Sequence, residues 1–237
     1  MRDAALVVGA SGGIGGACVR RLVSDHRIAL AASRSKPDED LLAFDRVRWA
    51  GADITTVAGR ETIVDLVEQA RVPLASVVVA SGVAHRGPLL TQTEDEWHAT
   101  LAANVVGPAL LLSELAARAT WTTPAAIALI GSLSARRALP DRSLYGASKS
   151  ALEQFGRSIA VELAPRGIAV NVVSVGVTDT PFLSGDRERL ERYTRDRIPV
   201  GHMANPDEVA EAVAFALIGG SLTGATIELD GGAGVLG

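Results

Sequence analysis

Tyr145 and Lys149 stand four residues apart in a stretch of helical pattern, so their side chains share one face, a turn from each other. A phenol with its ordinary pKa of about 10 is a poor proton relay at neutral pH. A neighbouring ammonium stabilises the phenolate, and each unit of lowering takes about 1.4 kcal/mol. The expectation is an acid/base pair in which Lys149 makes Tyr145 more acidic. Ser132, upstream of both, falls just past an apolar run, where a hydroxyl can hold a substrate oxygen. Asn104 enters through Pro108, because a proline inside a helix cannot donate to the carbonyl four residues back. That carbonyl can hold a water and extend a proton relay towards solvent; a simple packing kink is the other reading. Lys149 also stands out by composition. Arginine fills 21 of the 23 cationic positions, so a retained lysine suggests a need for a compact, titratable ammonium.

A second group of residues has the makings of a phosphate cradle. The first apolar run leads directly into Gly9-Ala10-Ser11-Gly12-Gly13-Ile14-Gly15, and a helical pattern follows. Glycines there let backbone approach a pyrophosphate, while the N–H groups of the helix start supply positive potential. At the end of the second apolar run the residues are Ser33-Arg34-Ser35-Lys36, with no acid before Asp38. A carboxylate at that position would hold a ribose 2′-hydroxyl, whereas Arg34 can take a 2′-phosphate bidentately. This favours NADP(H) over NAD(H), the competing reading being that Arg34 and Lys36 are solvated loop charges. Asp53, after the third run, is placed to accept from an adenine amino group.

These residues need a scaffold that brings strand ends together. Near-continuous Val, Ile, Leu and Ala runs predict strands at Ala4–Val8, Ile28–Ala32, Val47–Ala50, Ala75–Ala80, Ala126–Ile130, Ala169–Ser174 and Thr226–Leu229. Amphipathic stretches predict helices at about 13–24, 55–71, 94–118, 143–164 and 206–218, with starts marked by Thr55, Thr93 and Asn205-Pro206. Alternation of this kind implies an α/β fold, a doubly wound, Rossmann-type parallel sheet of seven strands with helices on both faces. Ligands of such sheets bind at the carboxyl ends of the strands. No repeat or linker divides the chain, so residues 1–237 read as one domain.

Composition removes several classes. With 48% apolar residues and a net charge of only −4, the chain is not disordered, and the lone Cys18 rules out a disulfide scaffold. Acids outnumber bases 27 to 23 with no compact basic run, which argues against nucleic acid. The longest uncharged stretch, Trp97 to Ser113, is broken by His98, Asn104, Gly107 and Pro108, so no spanning helix is expected, and neither is a secretory signal. The expected location is cytoplasmic. Four isolated histidines (His26, His85, His98 and His202) lack ligand spacing, and no metal is expected.

Over nearly its whole length the chain resembles the short-chain dehydrogenase/reductase family. The family's T-G-x-x-x-G-x-G falls on Val8 to Gly15, its Asn–Ser–Tyr–Lys tetrad on Asn104, Ser132, Tyr145 and Lys149, its late glycine segment on Val175 to Thr180 and its D-G-G on Asp230-Gly231-Gly232. The resemblance implies Tyr145 as acid/base, Ser132 orienting the carbonyl or alcohol, Lys149 tuning Tyr145 and holding the nicotinamide ribose, and Asn104 keeping a relay water. It also implies a cofactor site made of Gly9, Ser11, Gly12, Gly13, Ile14, Gly15, Arg34, Asp53, Ile54, Ala80, Gly82, Asn104, Tyr145, Lys149, Gly176, Thr178 and Thr180. Three positions depart from the family pattern. Val8 replaces a threonine, Val79-Ala80-Ser81-Gly82 replaces N-N-A-G, and Val175 replaces a proline. All three touch support of the cofactor loops, so altered cofactor affinity or loop mobility is expected rather than lost proton chemistry.

Between Thr180 and Pro199 the mixed-charge run Asp186 to Arg192 offers i,i+4 pairs and predicts a short solvated helix. By family position, about 181–199 is the substrate lid, with Ser134, Phe182, Leu183 and the His85-Arg86 loop as further pocket walls. The pattern looks most like 3-oxoacyl-(acyl-carrier-protein) reductases, which implies a β-keto acyl thioester of fatty-acid or polyketide type as substrate. Arg166 matches a basic position that such reductases can offer an acidic carrier protein; a helix C-terminal cation is the plainer account. Alternatives are an alcohol, sugar or steroid dehydrogenase and, against the intact tetrad, a non-catalytic cofactor-binding regulator. A helix at 97–113 apolar on more than one side suggests cover by a second copy, and the resemblance implies a homotetramer or dimer.

Overall fold

Neighbouring residues along each strand enter different cores, and that alternation explains the apolar runs. The computed structural model describes residues 3–25, 27–183 and 187–236. Its strands are β1 Ala4–Val8, β2 Ile28–Ser33, β3 Val47–Gly51, β4 Leu74–Val79, β5 Trp121–Ser132, β6 Ile168–Val175 and β7 Thr226–Leu229. The helices are α1 Gly13–Ser24, α2 Glu39–Leu42, α3 Val57–Ala70, α4 Glu94–Leu101, α5 Gly107–Arg118, α6 Ser143–Leu163, α7 Arg187–Arg197 and α8 Pro206–Ala216. The strands form one parallel sheet in the order β3-β2-β1-β4-β5-β6-β7. Leu6, Leu30, Val77, Ile127 and Val170 join α3, α5 and α6 on one face. Val7, Ala31, Val78, Ala128 and Val173 join α1 and α8 on the other. A strand covered on both faces has no polar side, and each large aliphatic chain buried there stabilises the fold by about 1.5–3 kcal/mol. Strand order reverses between β1 and β4, so a crevice opens above their carboxyl ends.

The seven expected strands and the expected layering are present. Differences lie at boundaries. The cap of α3 is Thr56, whose hydroxyl accepts from Gly59 N–H, while Thr55 is bonded to Asp53 instead. Thr93 and Asn205 cap α4 and α8 as expected, each in a reciprocal box with a glutamate three residues on. Strand β5 begins earlier than its apolar core because Trp121 already pairs with Leu74. The short α2 buries only Leu41, too little pattern to read.

The expected single helix over 94–118 is interrupted by a π-helical turn at Ala102–Val106. Gly107 N–H reaches back five residues to the Ala102 carbonyl, and Pro108 then restarts the α-helix without needing a donor. By length and composition alone Glu94–Arg118 would be able to cross a membrane, a test that the core helix of a globular domain also passes. Its apolarity has another use: Ala103, Leu111, Leu112 and Leu115 are buried, the three leucines within the sheet core, and Asn104 is turned inward. On the outer side, Val106 and Leu110 remain 50% and 43% exposed.

Candidate active site

The carboxyl ends of β1, β2, β4, β5 and β6 wall a single cleft of about 880 Å³. At its nucleotide end, Gly9 has φ +91°, a conformation that favours glycine, and a Cβ there would lie 2.6 Å from the Ser81 nitrogen. The loop is tied by backbone. Gly9 and Ala10 N–H both donate to the Ala32 carbonyl, and Ala80 N–H donates to that of Val8. Gly12 caps α1 without any side-chain hydrogen bond, which leaves the helix start open to an anion. The Ser81 hydroxyl is buried beside this loop without a partner. Arg34 lines the cleft next to Asp53. Burial pushes the Asp53 carboxyl up, but the Thr55 hydroxyl and N–H together with the Arg34 charge hold it below the usual carboxylate range. Ser35 donates to the Ser11 hydroxyl at 3.0 Å, joining the two phosphate-side loops. Lys36 does not line the cleft and sits 4.0 Å from Glu39, a solvated loop charge.

At the other end, Ser132 leaves β5 and Tyr145 and Lys149 project from α6. All three are buried. Lys149 Nζ lies 5.8 Å from the Tyr145 ring centroid and donates to the Ile130 carbonyl at 2.9 Å. Burial brings Lys149 down to about 8, against the opposing charge of Glu153. Tyr145 departs from expectation. Burial raises its pKa, and the opposing influences are a hydrogen bond with Ser132 and the charges of Arg142 and Arg86, not Lys149.

Asn104 is wholly buried and is not among the residues that line the cleft. Its Oδ1 accepts from Val83 N–H at 2.8 Å, and its Nδ2 donates to the Val83 carbonyl and the Ser148 hydroxyl, each at 2.9 Å. The side chain therefore clamps the segment after β4 onto α6. Gly82 makes room for it: a Cβ there would come 2.9 Å from Asn104 Oδ1.

Every other expected cofactor residue lines the cleft: Gly9, Ser11 to Gly15, Arg34, Asp53, Ile54, Ala80, Gly82, Tyr145, Lys149, Gly176, Thr178 and Thr180. Ser134, Phe182, Leu183 and Arg86 also line it, whereas His85 turns away to Thr100 at 2.7 Å. In the expected lid, Arg187–Arg197 is helical and the Glu188–Arg192 pair forms at 3.2 Å, while Ser184, Gly185 and Asp186 lie outside the described residues, as does His26. Ser148, Arg142 and Glu153 were not anticipated. Helical spacing from Tyr145 and Lys149 is the signal for each: Ser148 and Glu153 stand three and four residues away on α6, and Arg142 stands three residues before Tyr145 at the helix cap. Among the described residues, no three His, Cys, Asp or Glu side chains cluster as a metal site.

With this geometry in hand, the relatives are informative. A family model, adh_short_C2, described as enoyl-(acyl carrier protein) reductase, matches residues 9–234. The chain belongs to the short-chain dehydrogenase/reductase family, as an NAD(P)-dependent oxidoreductase. It is 28% identical to cis-4-hydroxycyclohexanecarboxylate dehydrogenase of Sinomonas cyclohexanicum, over 96% of this chain and 95% of that one. It is 29% identical to the 3-oxoacyl-[acyl-carrier-protein] reductase MabA of Mycobacterium tuberculosis, over 97% and 92%. A short-chain dehydrogenase from Burkholderia cenocepacia, solved in complex with NADP, superposes with a TM-score of 0.87 at 33% identity, covering 98% of this chain and 97% of that one.

Proposed function

We propose that this protein reduces the carbonyl of a β-keto acyl thioester with NADPH. The observation that carries the reading is Ser132 and Tyr145 beside Lys149, in one cleft with an uncapped helix start and Arg34. The open glycine loop and the orphaned Ser81 hydroxyl suit a dinucleotide. When bound, the cofactor supplies the hydride. Ser132 holds the substrate oxygen and Tyr145 gives it a proton. Burial favours the protonated phenol, the form that can donate, and the Ser132 hydroxyl with the charges of Arg142 and Arg86 works in the opposite direction, toward a more acidic group. Lys149, at about 8, gives up and regains a proton close to neutrality; with the cofactor bound it would also hold the nicotinamide ribose. Asn104 fixes the π-helical turn whose carbonyls keep the relay water.

Arg34, with Ser11 and Ser35 beside it, supports NADP(H) over NAD(H). Likeness to the mycobacterial reductase supports the thioester, presented on an acyl carrier protein, and α7 would then be the moving part of a lid at about 181–199. Exposed Val106, Leu110 and Val161 on α5, α6 and the π-turn support a homotetramer or dimer. A cytoplasmic location remains part of the proposal. The test is a spectrophotometric screen of NADPH oxidation over β-keto thioesters, simple ketones and quinones. The thioesters are expected to give the highest kcat/KM; turnover confined to ketones or quinones would move the protein to another branch.

A further inference from the structure

The glycine loop is tied by backbone, but the neighbouring turn after β2, which carries Arg34, is closed through side chains. Ser33 ends β2 and is buried, and its hydroxyl donates to the Ser35 carbonyl at 2.8 Å. That bond folds the chain back on itself, so Arg34 occupies the tip of the turn. Ser33, Arg34 and Ser35 all line the nucleotide end of the cleft, and the Ser35 hydroxyl reaches across to Ser11 of the glycine loop.

The same Ser33 oxygen is held from behind. In the parallel register Trp49 of β3 stands opposite Ala31, so Ser33, two residues further along β2, is on the same face of the sheet. Trp49 Nε1 donates to Ser33 Oγ at 3.1 Å. An indole N–H can only donate, so the hydroxyl must accept from Trp49, and its one proton is left for the Ser35 carbonyl. Bonds in such a chain polarise one another, so each strengthens the next. The ring itself is half-buried against the core that α1 and α8 cover, and Trp49 is not among the residues that line the cleft. It therefore acts on the turn without occupying the space a cofactor would take.

Resting on the NADP(H) reading above, we infer that Trp49 is a positioning residue for cofactor choice. Through Ser33 it fixes the turn that presents Arg34 and the Ser35 hydroxyl to the 2′-phosphate of NADP(H). NADH lacks that phosphate, so loosening the turn weakens NADPH binding and leaves NADH binding nearly as it was. Were the indole there for packing alone, a phenyl ring would serve the cofactor site equally well.

Dissociation constants for NADPH and NADH test this without a substrate, titrated on the whole protein with the nicotinamide fluorescence excited directly. Their ratio is the readout, because a general loss of stability acts on both cofactors alike. Trp49→Phe keeps a ring and loses the N–H, and it is expected to reduce the preference for NADPH about fivefold, the scale of one hydrogen bond. Ser33→Ala removes the middle of the chain and is expected to do the same, with Trp49→Phe adding nothing further to it. In an Arg34→Ala background, Trp49→Phe is expected to leave the ratio where it is. An unchanged ratio in either single variant, or an equal change from Trp49→Phe with and without Arg34, overturns the role of Trp49 while the NADP(H) reading stands. If Arg34→Ala itself leaves the ratio unchanged, the 2′-phosphate reading fails and the positioning role falls with it.

Discussion

The two ends of the cleft are built in different ways. At the nucleotide end, the glycine loop is positioned by backbone hydrogen bonds from Gly9, Ala10 and Ala80. At the proton-transfer end, side chains do the positioning: Asn104 to Val83 and Ser148, Lys149 to Ile130, and Ser132 to Tyr145. The difference accounts for where the chain departs from its family. Val8, Ala80 and Val175 replace polar or rigid residues at the first end, where β-register and backbone donors already define the loops. Nothing is replaced at the second, where each side chain leaves a buried polar partner if lost.

Substitutions should reproduce that asymmetry. Asn104→Ala would orphan the Val83 N–H and carbonyl and take from the Ser148 hydroxyl one of its two partners, the Tyr145 carbonyl being the other, so a loss of about 3 kcal/mol in unfolding free energy is expected. Denaturant titration checks this, and a loss below about 1 kcal/mol would put the clamp in doubt. Arg34→Ala is expected to raise KM for NADPH about tenfold with little change for NADH, as for one charge-assisted contact removed. Equal effects on the two would count against 2′-phosphate recognition. The smallest change is expected from Val8→Thr, which restores the family hydroxyl. Because the loop is already tied by backbone, NADPH affinity measured by fluorescence should move by about twofold or less. A large gain would mean that side chains matter at this end too.

Much of this was legible in the sequence. Apolar runs covered on both faces identified all seven strands, and Gly9 to Gly15 with Tyr145 and Lys149 marked both ends of the cleft. What sequence could not give was where side chains point. Asn104 sits in a π-turn, so its side chain faces inward to Val83 rather than into the cleft. The Tyr145–Lys149 spacing gave proximity but not the Ile130 carbonyl that captures the ammonium, nor the burial that raises the phenol. Gly87 and Asp141 are far apart in sequence, so the hydrogen bond from the Gly87 N–H to the Asp141 carbonyl left no pattern.

The central claim is that the Tyr145 hydroxyl is the proton donor to the substrate oxygen. Single-turnover oxidation of NADPH by Tyr145→Phe, alongside a binding titration of the same variant, tests it most directly. Turnover should fall by about 10³-fold while the dissociation constant for NADPH stays within about threefold of the unsubstituted protein. Retention of most of the rate would contradict the account, because the phenol ring would then be serving as a wall of the cleft and another group would be delivering the proton.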